Sequence, residues 1–184
     1  MKNTHYKLST NSFVAGRYAD ALKVFLGVVL LFASSQILIP IKPVAITMQT
    51  VAISLIGLTY SPRLGFVTVL SFISAGLLGV PVFYGFTSGI KLYTIGYLFG
   101  FLLAVPLIAI VKERFSKKFL GIAFTCLIGH IVIYFFGITW LSFVIGWKQA
   151  LYSGLIIYIP SGLAKIIIFS YCFSFINNKR ITRL

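Results

Sequence analysis

Acidic side chains are almost missing: in 184 residues only Asp20 and Glu113 carry a carboxylate. Paired-carboxylate acid–base chemistry is thereby excluded, and so is a proton relay built on carboxylates. Cysteine is as scarce. Cys126 and Cys172 stand alone inside apolar runs, with no CxxC and no neighbouring ligand set, so both read as small buried apolar residues and neither a disulfide nor a metal site is expected. There is no GxxxxGK(S/T) phosphate loop, no HExxH and no GxSxG, which removes ATP hydrolysis by the chain itself and any recognisable hydrolytic site. The first twenty residues lack the short apolar core and small-residue cleavage site of a leader peptide, so no cleavage is expected. An enzyme is not expected, nor is a cofactor.

Apolar residues are what the chain has in excess: 59% of it is hydrophobic, 10% is charged and the mean hydropathy is +1.03. Those values belong to an integral membrane protein. A hydrocarbon core of about 30 Å needs about 20 apolar residues per helix. On that measure the sequence predicts an all-α single membrane domain over 1–184, with a segment 1–20 and six transmembrane helices near 21–39, 44–61, 64–80, 92–111, 119–139 and 149–176. Pro40-Ile41-Lys42-Pro43, Ser61-Pro62-Arg63 and Val80-Pro81 punctuate the first three spans. The second and third, short and tightly joined, are expected to form an antiparallel hairpin.

The formal net charge is +14, which in a soluble chain would suggest nucleic acid. Here the basic residues flank apolar runs and read as topology signals at an anionic lipid surface, with no nucleic-acid partner. Lys2, Lys7, Arg17, Lys23, Arg63, Lys112, Arg114, Lys117, Lys118, Lys179, Arg180 and Arg183 fall on the side of the N-terminus. Lys42, Lys91 and Lys148 fall on the other side, and Lys165 stays within the last span. The positive-inside rule then puts both termini in the cytoplasm of a multi-pass cell-membrane protein.

Lys165 is the anomaly. A cation at bilayer depth costs about 2.5 to 3.5 kcal/mol on insertion scales, so it is read as functional. Pro160, five residues earlier, removes a backbone donor and frees the carbonyl of Ile156. Helical spacing sets Tyr158, Ser161, Gly162, Phe169 and Cys172 on the lysine's face, and Ile156, Ile159, Leu163, Ile166, Ile167 and Phe173 toward lipid. The lysine is therefore expected to point into the bundle and lean toward Ser161. Outside the membrane, Pro81 to Lys91 is rich in glycine and aromatics and reads as a lid, a re-entrant segment or an aromatic belt. The turn Ile39 to Thr50 sets Lys42, Thr47 and Gln49 at the mouth of the second helix. Together these segments outline an external pocket. His130 reads as a helix-bonded histidine, and Gly96 to Gly100 is a GxxxG that lets helices approach closely. Ala15-Gly16-Arg17-Tyr18-Ala19 offers small residues for a partner helix or forms a plain interfacial segment.

Pro43 to Thr50, Pro62-Arg63-Leu64-Gly65, Gly79-Val80-Pro81-Val82-Phe83, Gly96 to Phe101, Gly129-His130, Trp140-Leu141 and Pro160 to Lys165 stand in an order and spacing that resembles the BioY family. The resemblance runs from Ala21 to Lys165. It implies the biotin-binding S component of an energy-coupling factor (ECF) transporter: a six-helix bundle with an outward biotin pocket, powered by a transmembrane T component and two cytoplasmic ATPase subunits. Two stretches depart from the pattern. Pro160-Ser161-Gly162-Leu163-Ala164-Lys165 stands where the family is similar to Pro-Gly-Asp-x-x-Lys, keeping the lysine and losing the aspartate. Tyr93-Thr94-Ile95-Gly96-Tyr97 stands where relatives read Pro-Thr-Gly-Gly-Tyr.

Biotin needs an apolar and aromatic wall for its fused rings, placed donors and acceptors for its ureido group, and a cation or a wet mouth for its carboxylate. Phe83, Tyr84 and Tyr97 can supply walls, Thr47, Gln49 and Ser161 polar contacts, and Lys165 or Lys91 the charge. Three readings are open: a biotin S component, or one for a different small vitamin-like substrate; a solitary biotin facilitator or carrier; and an intramembrane enzyme or assembly factor.

Overall fold

The computed structural model describes residues 3–115 and 118–181, and their side chains over 16–115 and 118–179. Lys2, Lys117, Arg183 and the side chains of Lys7, Ala15 and Arg180 lie outside the described residues. The chain order is α1 (Asn3–Gln36), β1 (Leu38–Ile39), β2 (Ile46–Thr47), α2 (Gln49–Thr59), α3 (Pro62–Leu77), a single 3-10 turn (Leu92–Thr94), α4 (Ile95–Val111), α5 (Phe119–Ile145), α6 (Trp147–Leu151), a π-helical turn (Tyr152–Ile156) and α7 (Tyr158–Ile181). Among the described residues four stretches are long and apolar enough to cross a membrane: 16–36, 92–111, 119–145 and 147–179; α2 and α3 are shorter apolar helices. The fold is mostly helical, as the apolar runs require.

Sequence logic explains several helix ends. Ser61 caps α3 by accepting from Leu64 N–H at 3.4 Å, and Pro62 occupies the first turn, where its missing donor costs nothing. Gly146, at φ 82, ends α5 in a conformation that favours glycine. Two boundaries differ from expectation. α1 runs back to Asn3, so its 34 residues extend about 51 Å at about 1.5 Å per residue, well beyond a bilayer core. α2 has only 11 residues, because Pro40 and Pro43 deny a helix to the preceding stretch. There the chain instead forms a hairpin, pairing Leu38 with Thr47 and Ile39 with Ile46.

α4 is the axis of the packing, with Ala104, Val105, Ile108 and Ala109 fully buried. α2 and α3 do not zip along each other as a hairpin; each instead lies on α4. A side chain at Gly57 would strike Ile108 and one at Gly65 would strike Val105, so glycine lets both helices close on the same ridge. The α4–α5 seam is equally close: a Cβ at Gly100 would sit 2.9 Å from Ile133 Cα, and one at Gly96 would meet the Phe136 carbonyl. The GxxxG is thus a true close-approach face.

At one end of the bundle Lys112 Nζ donates to the carbonyls of Gly57, Leu58 and Tyr60 at 3.1, 3.1 and 2.7 Å. Tyr60 Oη donates to the Lys23 carbonyl at 2.7 Å. The orphan carbonyls at the end of α2 are thereby satisfied, and α1, the α2–α3 turn and the end of α4 are tied to one face.

Candidate functional site

The opposite face carries the hairpin and a loop over 78–91. Ser35 Oγ donates to the Val82 carbonyl at 3.0 Å, Gln36 Nε2 to the Phe83 carbonyl at 3.1 Å, and Phe86 N–H to Gln36 Oε1 at 3.1 Å. Phe83 and Thr87 bond each other's backbone, and Phe86 turns at φ 55. The loop is thus fastened to the end of α1 and places Tyr84 over the bundle.

Beneath it lies a cavity of about 570 Å3, mouth included, bounded by the hairpin, the first turn of α2, and α4, α5 and α7. Lys165, Gln49, Thr47, Tyr84 and Tyr97 all line it. A smaller adjoining cavity of about 320 Å3 shares Gln49 and Tyr84 and adds Phe83 and Lys91. The expected residues from four separate segments therefore converge, with one exception.

Lys165 Nζ donates to the Thr47 carbonyl at 2.6 Å, a contact across 118 positions of sequence. It does not pair with Ser161. That hydroxyl donates to the Tyr158 carbonyl of its own helix at 3.1 Å, as serine in a helix commonly does, and Ser161 lines neither cavity. The hairpin was needed to see the lysine's partner. Tyr158 Oη donates to the Val44 carbonyl, so α7 holds the hairpin at two points.

Tyrosines form the inner wall. Tyr97 and Tyr158 stack with ring centroids 6.4 Å apart, and Tyr134 meets Tyr158 edge-on at 6.5 Å. Tyr97 Oη donates to the Gly154 carbonyl at 2.9 Å, inside the π-helical turn. The backbone irregularity expected at Pro160 thus begins a turn earlier, where Ile157 N–H reaches back to the Tyr152 carbonyl. Pro160 sits in the first turn of α7.

Polar atoms in this wall are left over. Thr47 Oγ1 donates to Gln49 Oε1 at 3.2 Å and accepts from Gln49 N–H at 3.4 Å. Gln49 Nε2 and Thr50 Oγ1 are buried and have no partner among the described residues. A buried donor without an acceptor is costly, so such atoms in a cavity wall suit a polar ligand. At the rim, exposed Lys91 lies over the Tyr84 ring, 3.8 Å from its centroid. Phe83 is chiefly core, edge-on to Phe72 at 5.5 Å and packed beneath Gly76.

Sequence reasoning missed Tyr134, Thr50, Thr94 and the Val44–Ile46 backbone, and treated Tyr158 only as a facial neighbour. The spacing of seven between Tyr158 and Lys165 was the available signal. Two facial assignments are corrected. Ile166, expected toward lipid, is 6% exposed against Ile122 and Cys126, because α5 packs over it. Cys172, expected to be buried, is exposed near the end of α7. Among the described residues no group of His, Cys, Asp and Glu could hold a metal.

This arrangement binds rather than reacts: it offers aromatic wall, unpaired amide and hydroxyl groups and one lysine, with both carboxylates of the chain elsewhere. Known proteins resemble the chain over most of its length. "Probable biotin transporter BioY" of Rickettsia prowazekii is 50% identical over 174 residues, covering 93% of this chain and 88% of that protein. "Probable biotin transporter BioY" of Pyrococcus horikoshii is 34% identical over 77% of this chain and 86% of its own length. The crystal structure of the S-component for biotin from an ECF-type ABC transporter superposes with a TM-score of 0.72 at 26% identity, covering 97% of this chain and 95% of that one. The BioY family profile matches residues 4–181, and with the curated relatives it makes this multi-pass membrane chain a member of the BioY family.

Proposed function

We propose that the protein is the substrate-capturing subunit for uptake of biotin, binding the vitamin in the cavity beneath the hairpin. The observation that carries this is the pair of unpartnered groups, Gln49 Nε2 and Thr50 Oγ1, in an otherwise tyrosine-rich wall. Biotin's fused rings would stack against Tyr97 and Tyr158, its ureido group would meet Gln49 and Thr50, and Lys165 and Lys91 would supply charge inside and at the rim. Thr47, Tyr84 and Phe83 shape the walls. Ser161 acts on the helix backbone and is not proposed as a contact.

The proposal extends to topology. Six spans, α2 and α3 included, leave both termini in the cytoplasm. Support comes from the Lys112 and Tyr60 bonds, which gather Lys23, Arg63 and Lys112 at one face, opposite the face of Lys42, Lys91 and the cavity. Since the chain has no nucleotide-binding motif, energy would come from a transmembrane T component and two cytoplasmic ATPase subunits, as in the ECF system to which the matching crystal structure belongs.

A binding isotherm with radiolabelled biotin on the purified chain tests the capture step. One saturable site per chain is expected; absence of binding overturns it. Uptake measured with and without the T component and ATPases tests coupling, and uptake that persists without them would favour a solitary facilitator. Biotin methyl ester decides which lysine meets the carboxylate: it should lose affinity for the native protein but not for the variant lacking that lysine.

A further inference from the structure

Gln36 is the last residue of α1 and lines neither cavity, yet all of its amide is engaged. Nε2 donates to Ser35 Oγ at 2.7 Å and to the Phe83 carbonyl at 3.1 Å, and Oε1 accepts from Phe86 N–H at 3.1 Å. A carbonyl only accepts and a backbone N–H only donates, so this pair of backbone groups demands a carboxamide in this orientation. Glutamate would set an oxygen against the Phe83 carbonyl.

Phe83 and Phe86 flank Tyr84 and Gly85, so the amide closes the turn that carries Tyr84. Thr87 Oγ1 donates to the Tyr84 carbonyl at 3.0 Å, and Phe86 lies edge-on to Phe32, one turn back on α1, at 5.9 Å. Among the described residues, every hydrogen bond that leaves 82–87 for a helix ends on Ser35 or Gln36. Of the described residues over 78–91, Tyr84 alone lines the larger cavity, and Lys91 lies on its ring. A segment without a helix ladder opens locally when its few anchors are lost. The position of Tyr84 at the mouth therefore depends on one side chain that does not touch the cavity.

We propose that Gln36 is a positioning residue for vitamin capture: its carboxamide holds Tyr84 across the cavity mouth and so sets how long a bound ligand stays. The inference rests on the biotin reading of that cavity. Loosening a covering ring eases escape without hindering encounter, so the effect belongs to the dissociation rate.

Gln36→Met, close in volume, removes all three bonds; Gln36→Glu keeps the acceptor for Phe86 N–H and loses the donor to Phe83. Chase of radiolabelled biotin by unlabelled biotin, on the full chain in phosphatidylcholine nanodiscs, should show dissociation about five-fold faster in both, with association within about two-fold of native. Tyr84→Ala should by itself speed release. Adding Gln36→Met to it should change the rate by less than about two-fold, because the amide acts through the ring, whereas a merely structural glutamine would give additive effects. Independently of biotin, hydrogen exchange of the peptide spanning Phe83 to Thr87 should quicken in vitamin-free Gln36→Met. Unchanged dissociation in Gln36→Met, additive rates with Tyr84→Ala, or unchanged exchange overturns the assignment. A native chain that binds no biotin overturns the capture reading instead, and the exchange rates then still decide whether Gln36 holds the turn of Tyr84.

Discussion

Replacing Lys165 with methionine separates a binding role from a structural one, because its effects on stability oppose each other. The substitution removes a half-buried lysine and its 2.6 Å bond to the Thr47 carbonyl. Losing a hydrogen bond from a charged group costs about 1.5 to 3 kcal/mol. Removing a cation from bilayer depth returns about 2.5 to 3.5 kcal/mol on insertion scales. The two nearly cancel, and methionine keeps much of the side chain's volume, so the thermal midpoint in detergent should shift little. Binding has no such offset. If Lys165 donates to biotin, the loss of about 1.5 to 3 kcal/mol should raise Kd about 10- to 150-fold. Radiolabelled-biotin isotherms and thermal unfolding of the same preparation measure both. Unchanged affinity with a collapsed thermal midpoint would refute the reasoning, since Lys165 would then be a clamp for the hairpin and nothing more.

Gln49→Leu leaves a ligand polar group unpaired, and its Kd for biotin should rise by about 1 to 3 kcal/mol, or about 5- to 150-fold, in the same isotherm. Lys91→Ala changes an exposed rim charge, so it should slow association and flatten its salt dependence in stopped-flow binding while sparing the dissociation rate. Gly100→Val forces a side chain against the backbone of Ile133, and overpacking of about 1 to 3 kcal/mol or more should show as a lower thermal midpoint. Lys112→Met strips donors from three carbonyls at the end of α2 and should destabilise the chain by more than the about 1.5 to 3 kcal/mol that losing one bond from a charged donor costs, in denaturant unfolding.

By itself the sequence determined the class of solvent and the helical content. Apolar runs near bilayer length leave the backbone no alternative to helix in lipid, and the scarcity of acids excluded carboxylate chemistry. It also determined the singular cation, because a lysine inside a span stands out against its apolar neighbours. Tertiary structure decided what that cation meets. Thr47 offers Lys165 a backbone carbonyl, and every residue has one, so no residue type marks the contact. The fate of Ser161 depended on a local choice between its own helix and the cavity, which periodicity does not encode. Tyr134 and Thr50 joined the site only because α5 and the first turn of α2 converge on it. The shortening of α2 was written in Pro40 and Pro43, yet only the folded chain shows that the segment they free folds inward, where α7 holds it from below.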